Sequence, residues 1–273
     1  MTIAHSAELI WTRTVGPGIF QQRLAEPVIA RTARAGQFVH MLPGTRHLFR
    51  RAFSVYATDP ANGTFDVLHQ VLGEGTRCLS RLPKGAQVDV LGPLGNRFPP
   101  PARGHRPVLV GGGLGMAPLR FFAHELMELQ RGKQSGRTGL NPLMLLGGRT
   151  KDQAVPPYGL SLLGLRPLWA TDDGSRGFHG TVVAMLAERI ADKTIDPEHA
   201  VVYGCGPEVM MAALADLCRT KKIQCYVSLE RSMPCGFGVC MGCVVQTKHG
   251  TGYDTHVRVC RDGPVFDAAE VII

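Results

Sequence analysis

At 273 residues, with 44% hydrophobic and only 19% charged residues, the chain has room for two domains and a small third module and is too apolar to be disordered. Its net charge of +8 is scattered, clusters such as HLFRRAF are broken by apolar residues, and aromatic residues make up only 7%. A nucleic-acid surface, which needs a basic stripe with aromatic platforms, is therefore not expected. The opening MTIAHSAELIWTRTV has neither a basic leader region nor an unbroken apolar run, and the stretch 107–119 is too short and glycine-rich to span a bilayer. The expectation is a cytoplasmic protein whose eight cysteines stay reduced and serve as ligands or core residues.

From Thr2 to about Pro101, short apolar runs (IFQQRLA, GQFVHML, AFSVYAT, TFDVLHQVL, AQVDVLGPLG) alternate with turns such as DPANG and LPKG. Such spacing predicts an antiparallel barrel or sandwich, with one short helix over 76–82. Two motifs stand out within it. In RRAFS, Arg51 is suited to pair with a phosphate and Ser54 to hydrogen-bond a ring nitrogen. In GEGT, Gly75 and Thr76 open the helix and offer backbone N–H groups to an anion. Taken singly, each reads equally well as surface charge or a helix cap; only the combination points to a ligand.

Residues 99–106, rich in proline and arginine, read as a linker, after which the texture changes. RPVLVGGGLGMAPLRFFAHELMELQ is a buried strand, a glycine turn and an amphipathic helix, and the strand–helix alternation continues to IQCYVSLE. This predicts a mostly parallel sheet covered by helices. Gly111, Gly112, Gly113 and Gly115 let the backbone approach a pyrophosphate at the start of a helix, although Pro118 stands where a complete G-x-G-x-x-G would have a small residue. Cys205, flanked by glycines in VVYGCGPEVM, falls at the carboxyl end of a strand, where such sheets bind ligands. Asp172 and Asp173 in TDDGS occupy another such loop and suit ribose or amide groups. A structural cysteine and ordinary turn residues are the bland readings of the last two.

The tail from about Ser232 is too poor in apolar residues to hold itself together without a staple. Its cysteines, Cys235, Cys240, Cys243 and Cys260, are spaced C-x4-C-x2-C-x16-C. Zinc usually takes two short pairs, each on its own turn, whereas three packed ligands and one remote one match plant-type [2Fe–2S] ligation. Gly236, Gly238 and Gly242 leave room for sulfides there. Zinc and free thiols remain as alternatives. Cys78, Cys218 and Cys225 have no partner spacing and read as core residues.

A barrel with RAFS and GEGT followed by GGGLGMAPL and GCGPEVM resembles the ferredoxin–NADP reductase-like superfamily. The tail SLERSMPCGFGVCMGC with RVCRDGPVF, together with TDDGS, is similar to the dihydroorotate dehydrogenase B electron transfer subunits. The resemblance covers essentially the whole chain. It implies an FAD-binding β-barrel over 1–103, an NAD-binding α/β domain over 104–227 and a [2Fe–2S] module over 228–273. It assigns FAD to Arg51, Ala52, Phe53 and Ser54, to Leu68, His69 and Gln70, and to Gly75 and Thr76. It gives the cluster to Cys235, Cys240, Cys243 and Cys260, and lets Cys205 and the loop at Gly111–Gly115 bring nicotinamide to the flavin. Ala52 departs from the usual proline, and the spacer to Cys260 is long. The implied activity runs from a catalytic FMN subunit, in a heterotetramer of two of each, through [2Fe–2S] and FAD to NAD+, in pyrimidine biosynthesis. No motif for a carbon-substrate base is present, which suits a subunit that only moves electrons. Two other readings stay open. One is an NAD(P)H-linked subunit of a ferredoxin, hydrogenase or sulfur-reducing complex, and the other a zinc-stapled nucleotide-binding regulatory module. Arg149, ending its strand as GGR, would suit a 2′-phosphate, so NAD is expected on the resemblance alone.

Overall fold

The apolar runs of the first hundred residues become six strands: β1 (Ala4–Gly16), β2 (Ile19–Ala25), β3 (Phe38–Met41), β4 (Arg51–Asp59), β5 (Thr64–Gln70) and β6 (Gln87–Leu94). They close antiparallel in the order β1-β2-β5-β4-β3-β6, and closure leaves no free edge. The computed structural model describes residues 4–44, 48–131, 141–153, 160–161, 164–250 and 252–273. In β5 every residue but Gln70 is buried, and its charged member is compensated: Asp66 accepts from Arg23 at 2.7 Å and from Gln21 at 2.6 Å.

The helix expected over 76–82 starts two residues earlier, as α2 (Glu74–Ser80). The Thr76 hydroxyl accepts from the Leu72 and Gly73 amides at 3.0 and 3.2 Å and so organises the turn ahead of it. A six-residue helix, α1 (Pro27–Thr32), has no counterpart in the sequence reading. The Glu26 carboxylate caps it by accepting from the Ile29 amide at 2.6 Å, and Pro27 fits its first turn.

The second half builds a seven-stranded sheet. Its strands are β7 (Arg106–Gly112), β8 (Leu143–Gly148), β9 (Leu168–Thr171), β10 (Phe178–His179), β11 (Ala200–Cys205), β12 (Gln224–Ser228) and β15 (Val265–Asp267). The order is β10-β9-β8-β7-β11-β12-β15, parallel except for β15. Helices α3 (Met116–Arg131), α4 (Val182–Ala191) and α5 (Glu208–Lys221) make the crossovers. The strand order reverses between β7 and β11, which places the glycine turn and Cys205 side by side at the switch point; Cys205 pairs directly with Gly111. The stretch read as a linker is partly packed: Phe98 is buried before it, and the Tyr203 hydroxyl donates to the Pro99 carbonyl at 2.9 Å.

The cysteine-rich tail carries the two-stranded ladder β13 (Val244–Gln246) with β14 (His256–Arg258), then returns as β15 to pair antiparallel with β12. Just before that return, Asn96 at the end of the barrel grips it. The Asn96 side chain donates to the carbonyls of Asp262 and Val265 at 3.1 and 2.8 Å and accepts from the Val265 amide at 2.9 Å. The Asn96 amide also donates to the Gly263 carbonyl at 2.6 Å. Among the described residues no helix is long and apolar enough to cross a membrane.

Asn96→Ala leaves the Val265 amide and two carbonyls short of a partner. Loss of about 2 kcal/mol is expected, concentrated in the tail. The check is limited proteolysis with urea unfolding: the variant should be cut within 228–273 at lower urea than the parent, and equal cutting would remove this role for Asn96.

Candidate active site and cluster loop

A cavity of about 330 Å³ lies where the barrel meets the carboxyl edge of the sheet. It gathers residues far apart in sequence: Arg51 to Ser54 from β4, Leu68 to Gln70 from β5, Thr76 from α2, and Cys205 from β11. Gly75 lies outside its lining, yet it is held against the Arg51 guanidinium so closely that a Cβ would stand 2.9 Å from Nε. The guanidinium also donates to the Phe49 carbonyl at 2.8 Å, which fixes it beside the start of α2. A cation packed on bare backbone, next to an apolar slot walled by Phe53, Leu68 and Leu114, is a donor set that fits a flat ring carrying a pyrophosphate. A wider cleft of about 760 Å³ opens between α3 and the barrel around Glu125, but none of the residues singled out from sequence faces it. Chemistry, not size, distinguishes the two.

His69 supplies the strongest sign of a missing partner. It is 1% exposed, and neither ring nitrogen has a hydrogen-bond partner. The ring stacks on Phe20 at 5.9 Å and tilts on Phe53 at 5.3 Å. Burial lowers its pKa to about 4, so the imidazole is neutral and offers one donor and one acceptor.

Cys205 is 2% exposed, and burial pushes its thiol far above the usual range, so it stays protonated. Its position needs Gly115, since a Cβ there would fall within 2.1 Å of the Cys205 carbonyl oxygen. The Ser228 hydroxyl, directly across the β11–β12 ladder, hydrogen-bonds the thiol. Among the cavity residues not anticipated from sequence are Phe38, Ser228, Glu230 and Arg231. Protein crowds Glu230 and raises its pKa by desolvation, yet the open cavity keeps the side chain in contact with solvent. Arg231 is engaged by Glu208 through two 2.9 Å contacts. The signal available in the sequence was SLER directly after a buried strand, at the same sheet edge as Cys205.

Asp172 and Asp173 are not brought into this cavity. They sit two strands away on the same edge, where their amides donate to the carbonyls of Gly148 and Arg149. The Asp173 carboxylate already accepts from the Ser175 hydroxyl and amide, which hold its pKa down. Gly111 and Gly112 end β7, and Gly113 and Gly115 form the turn into α3, with Gly113 exposed at its tip.

The tail thiols associate as two pairs. Cys235 and Cys240 contact each other, as do Cys243 and Cys260. Among the described residues no three acidic, histidine or cysteine side chains are gathered around one point. Three closely spaced thiols with one remote thiol brought back to them fit plant-type two-iron ligation. Backbone amides already point at sulfur: Gly242 N to Cys240 Sγ and Cys260 N to Cys243 Sγ, both at 3.4 Å. At Cys235 desolvation opposes ionisation, but hydrogen bonds from the Cys240 and Phe237 backbone and the Cys240 thiol outweigh it and bring the pKa down to about 6. Cys260 is pushed up to about 12, first by burial and then by Cys243. Arg258 braces the loop by donating to the Gly238 carbonyl at 3.0 Å. Of the other thiols, Cys218 and Cys225 are buried as expected, whereas Cys78 is only half-buried and donates to the Pro43 carbonyl at 2.7 Å.

Residues 230–272 match the iron–sulfur cluster binding domain of dihydroorotate dehydrogenase B. The chain is 37% identical over 268 residues to the dihydroorotate dehydrogenase B (NAD(+)) electron transfer subunit of Enterococcus faecalis, covering 97% of each. It is 32% identical to that of Desulforamulus reducens, covering 100% of this chain and 99% of the other. Among solved structures, an NADH-dependent reduced ferredoxin-NADP oxidoreductase superposes with a TM-score of 0.82 at 28% identity, over 97% of this chain and 89% of that one. A ferredoxin NADP+ reductase of Neisseria gonorrhoeae with bound FAD and NADP shares the fold, with a TM-score of 0.64 at 15% identity, over 85% of this chain and 95% of that one.

His69 gives the protein an acid sensitivity. Its folded pKa of about 4 lies below the ordinary 6.5, so between these values the unfolded chain binds more protons and stability falls as the pH drops. Replacing it by phenylalanine should flatten that limb, by up to about 3 kcal/mol in all. The check is the urea midpoint of His69→Phe and parent between pH 7.5 and 5; parallel curves would mean that His69 is not buried and neutral.

Proposed function

The chain belongs to the family of dihydroorotate dehydrogenase B (NAD(+)) electron transfer subunits, and from that premise we propose how its residues carry electrons from a catalytic flavin subunit to NAD+. The observation that carries the reading is the convergence of three sites in one fold. Cys205 at the sheet switch point lines the Arg51–Ser54 cavity, and so does Met233, two residues before Cys235 of the thiol loop that carries Cys240, Cys243 and Cys260. In functional terms the chain divides into an FAD barrel over 1–103, an NAD domain over 104–227 and a cluster module over 228–273, with β15 lent back to the NAD sheet.

FAD in the cavity supplies the conversion between single electrons, which a [2Fe–2S] cluster passes, and the hydride that nicotinamide accepts. Arg51 and the backbone at Gly75 hold its pyrophosphate, and Thr76 shapes that turn with a hydroxyl already engaged in it. Ala52, Phe53 and Leu68 form the apolar slot and exclude water. Ser54, His69 and Gln70 would supply polar groups for a bound ring. Cys205, kept protonated by burial and oriented by Ser228, packs as a neutral wall where the nicotinamide would arrive. Gly111, Gly112, Gly113 and Gly115 let the dinucleotide backbone approach α3, while Asp172 and Asp173, next to Arg149, receive its ribose end.

Around the cluster loop Phe237, Val239 and Met241 are 47%, 73% and 50% exposed. That apolar rim supports a catalytic FMN-containing dihydroorotate dehydrogenase subunit docking over the cluster, in an assembly of two of each subunit. A cluster held by Cys235, Cys240, Cys243 and Cys260 beneath such a partner would supply single-electron transfer, in the service of pyrimidine biosynthesis.

The test is an anaerobic pull-down from the native host, with visible spectra and a dihydroorotate:NAD+ assay of the eluate. An FMN-containing partner and dihydroorotate-dependent NADH formation are expected; flavin and iron without that activity would move the protein to another redox complex. Cys240→Ser should keep FAD and NADH-driven reduction of an artificial dye while losing the cluster signal and dihydroorotate-dependent NADH formation. Retention of that last activity would contradict the electron route.

A further inference from the structure

Strand β3 runs between the two redox sites. At one end Phe38 lines the cavity; two residues on, His40 packs under the cluster loop. The two rings meet edge to face at 6.2 Å. His40 is 1% exposed and comes from the barrel, where Phe38, Arg50 and Arg51 are its neighbours, yet its ring also faces Met233, Cys235 and Gly236 of the tail. Its ring lies so close to Gly236 that a Cβ there would stand 2.5 Å from Nδ1, and Gly236 holds φ of +81°, a conformation that disfavours any other residue. The ring nitrogens are directed at the backbone of Cys235 and Met233, but neither completes a hydrogen bond of full geometry. A buried polar ring left short of partners is costly unless something fixes and uses it. Here the ring is packed tightly against the segment that carries Cys235.

We propose that His40 is a positioning residue of the electron route: its ring clamps the Cys235 end of the cluster loop onto β3 and so sets the place and potential of the cluster relative to the cavity. The inference rests on the reading of Cys235, Cys240, Cys243 and Cys260 as the cluster ligands. It assigns no chemistry to His40 itself. A ring N–H turned toward a ligand's backbone presents positive dipole to a centre that gains negative charge on reduction, and it thereby favours the reduced form. The same contact fixes the loop's distance from Phe38. A loop free to slide would hold the cluster in several places at once.

The experiment compares His40→Gln, His40→Leu and Gly236→Ala with the parent in the whole chain, after iron and sulfide analysis. The readouts are an EPR-monitored redox titration of the cluster and the line shape of its reduced signal. Gln keeps an N–H and should leave the potential and a narrow signal near the parent's. Leu fills the space without a donor and should shift the potential downward and broaden the signal. Gly236→Ala keeps His40 but pushes the loop off its ring, and should move both readouts in the same direction as Leu. If His40→Leu fails to hold a cluster, the pair His40→Gln and Gly236→Ala decides alone: a parent-like potential in the first with a lowered one in the second supports the clamp, and any other pattern overturns it. Equal potentials and line shapes in all four proteins would overturn it, as would equal shifts in Gln and Leu. A parent protein without iron and sulfide would overturn the cluster assignment itself and the clamp with it, an outcome recognisable before any variant is compared.

Discussion

Everything in the molecule depends on the few residues from Asp262 to Asp267. Their backbone is held by Asn96 of the barrel on one side and by β12 of the sheet on the other. The Pro264 carbonyl accepts from Leu229, and the Cys225 carbonyl accepts from Ala268 just beyond. Val265 is buried in the core shared by the barrel and α3, while Phe266 is buried in the core on the sheet's other face. Since Cys260 lies directly upstream, this strand anchors the one cysteine that is remote in sequence from the other three. A module with little apolar content of its own is thereby fastened by the cores of its neighbours.

The anchoring is what the proposed electron path requires: the cysteine loop, the Arg51–Ser54 cavity and the sheet edge must keep a fixed spacing, and among the described residues packed segments connect them. The 99–106 connection is tied by Tyr203, whose ring packs against Phe98 and Phe122 while its hydroxyl reaches Pro99. Gly115 lets α3 begin against the Cys205 carbonyl. The result is a cavity whose walls come from every part of the chain.

Much of this was legible in the residue pattern. The barrel strands, the parallel sheet, the switch-point cysteine and the cysteine tail all carry local signals: alternation, glycine turns and ligand spacing. Cys243 and Cys260 are separated by sixteen residues yet lie close together, because β13 and β14 fold the spacer back on itself. The helix at 74–80 was displaced by two residues because a threonine cap acts backwards from inside the first turn. The helix at 27–32 escaped notice, since a glutamate cap followed by proline reads equally as a turn.

The sequence by itself determined the chemistry: which side chains form helices and strands, which thiols are numerous and close enough in the chain to suit iron, and where an arginine and a serine fall on one strand. These are short-range properties, fixed by spacing along the chain. Only the tertiary structure decided which groups face one another. Ser228 on Cys205, Glu230 at the cavity, His40 beneath Cys235 and Asn96 around Val265 join residues that no local pattern connects. Asp172 and Asp173, adjacent in the motif reading to the rest of the dinucleotide site, ended two strands from the cavity because strand order is set by the crossovers rather than by the turns. Contacts of this kind depend on how two sheets close against each other, and that is a property of the packed core as a whole.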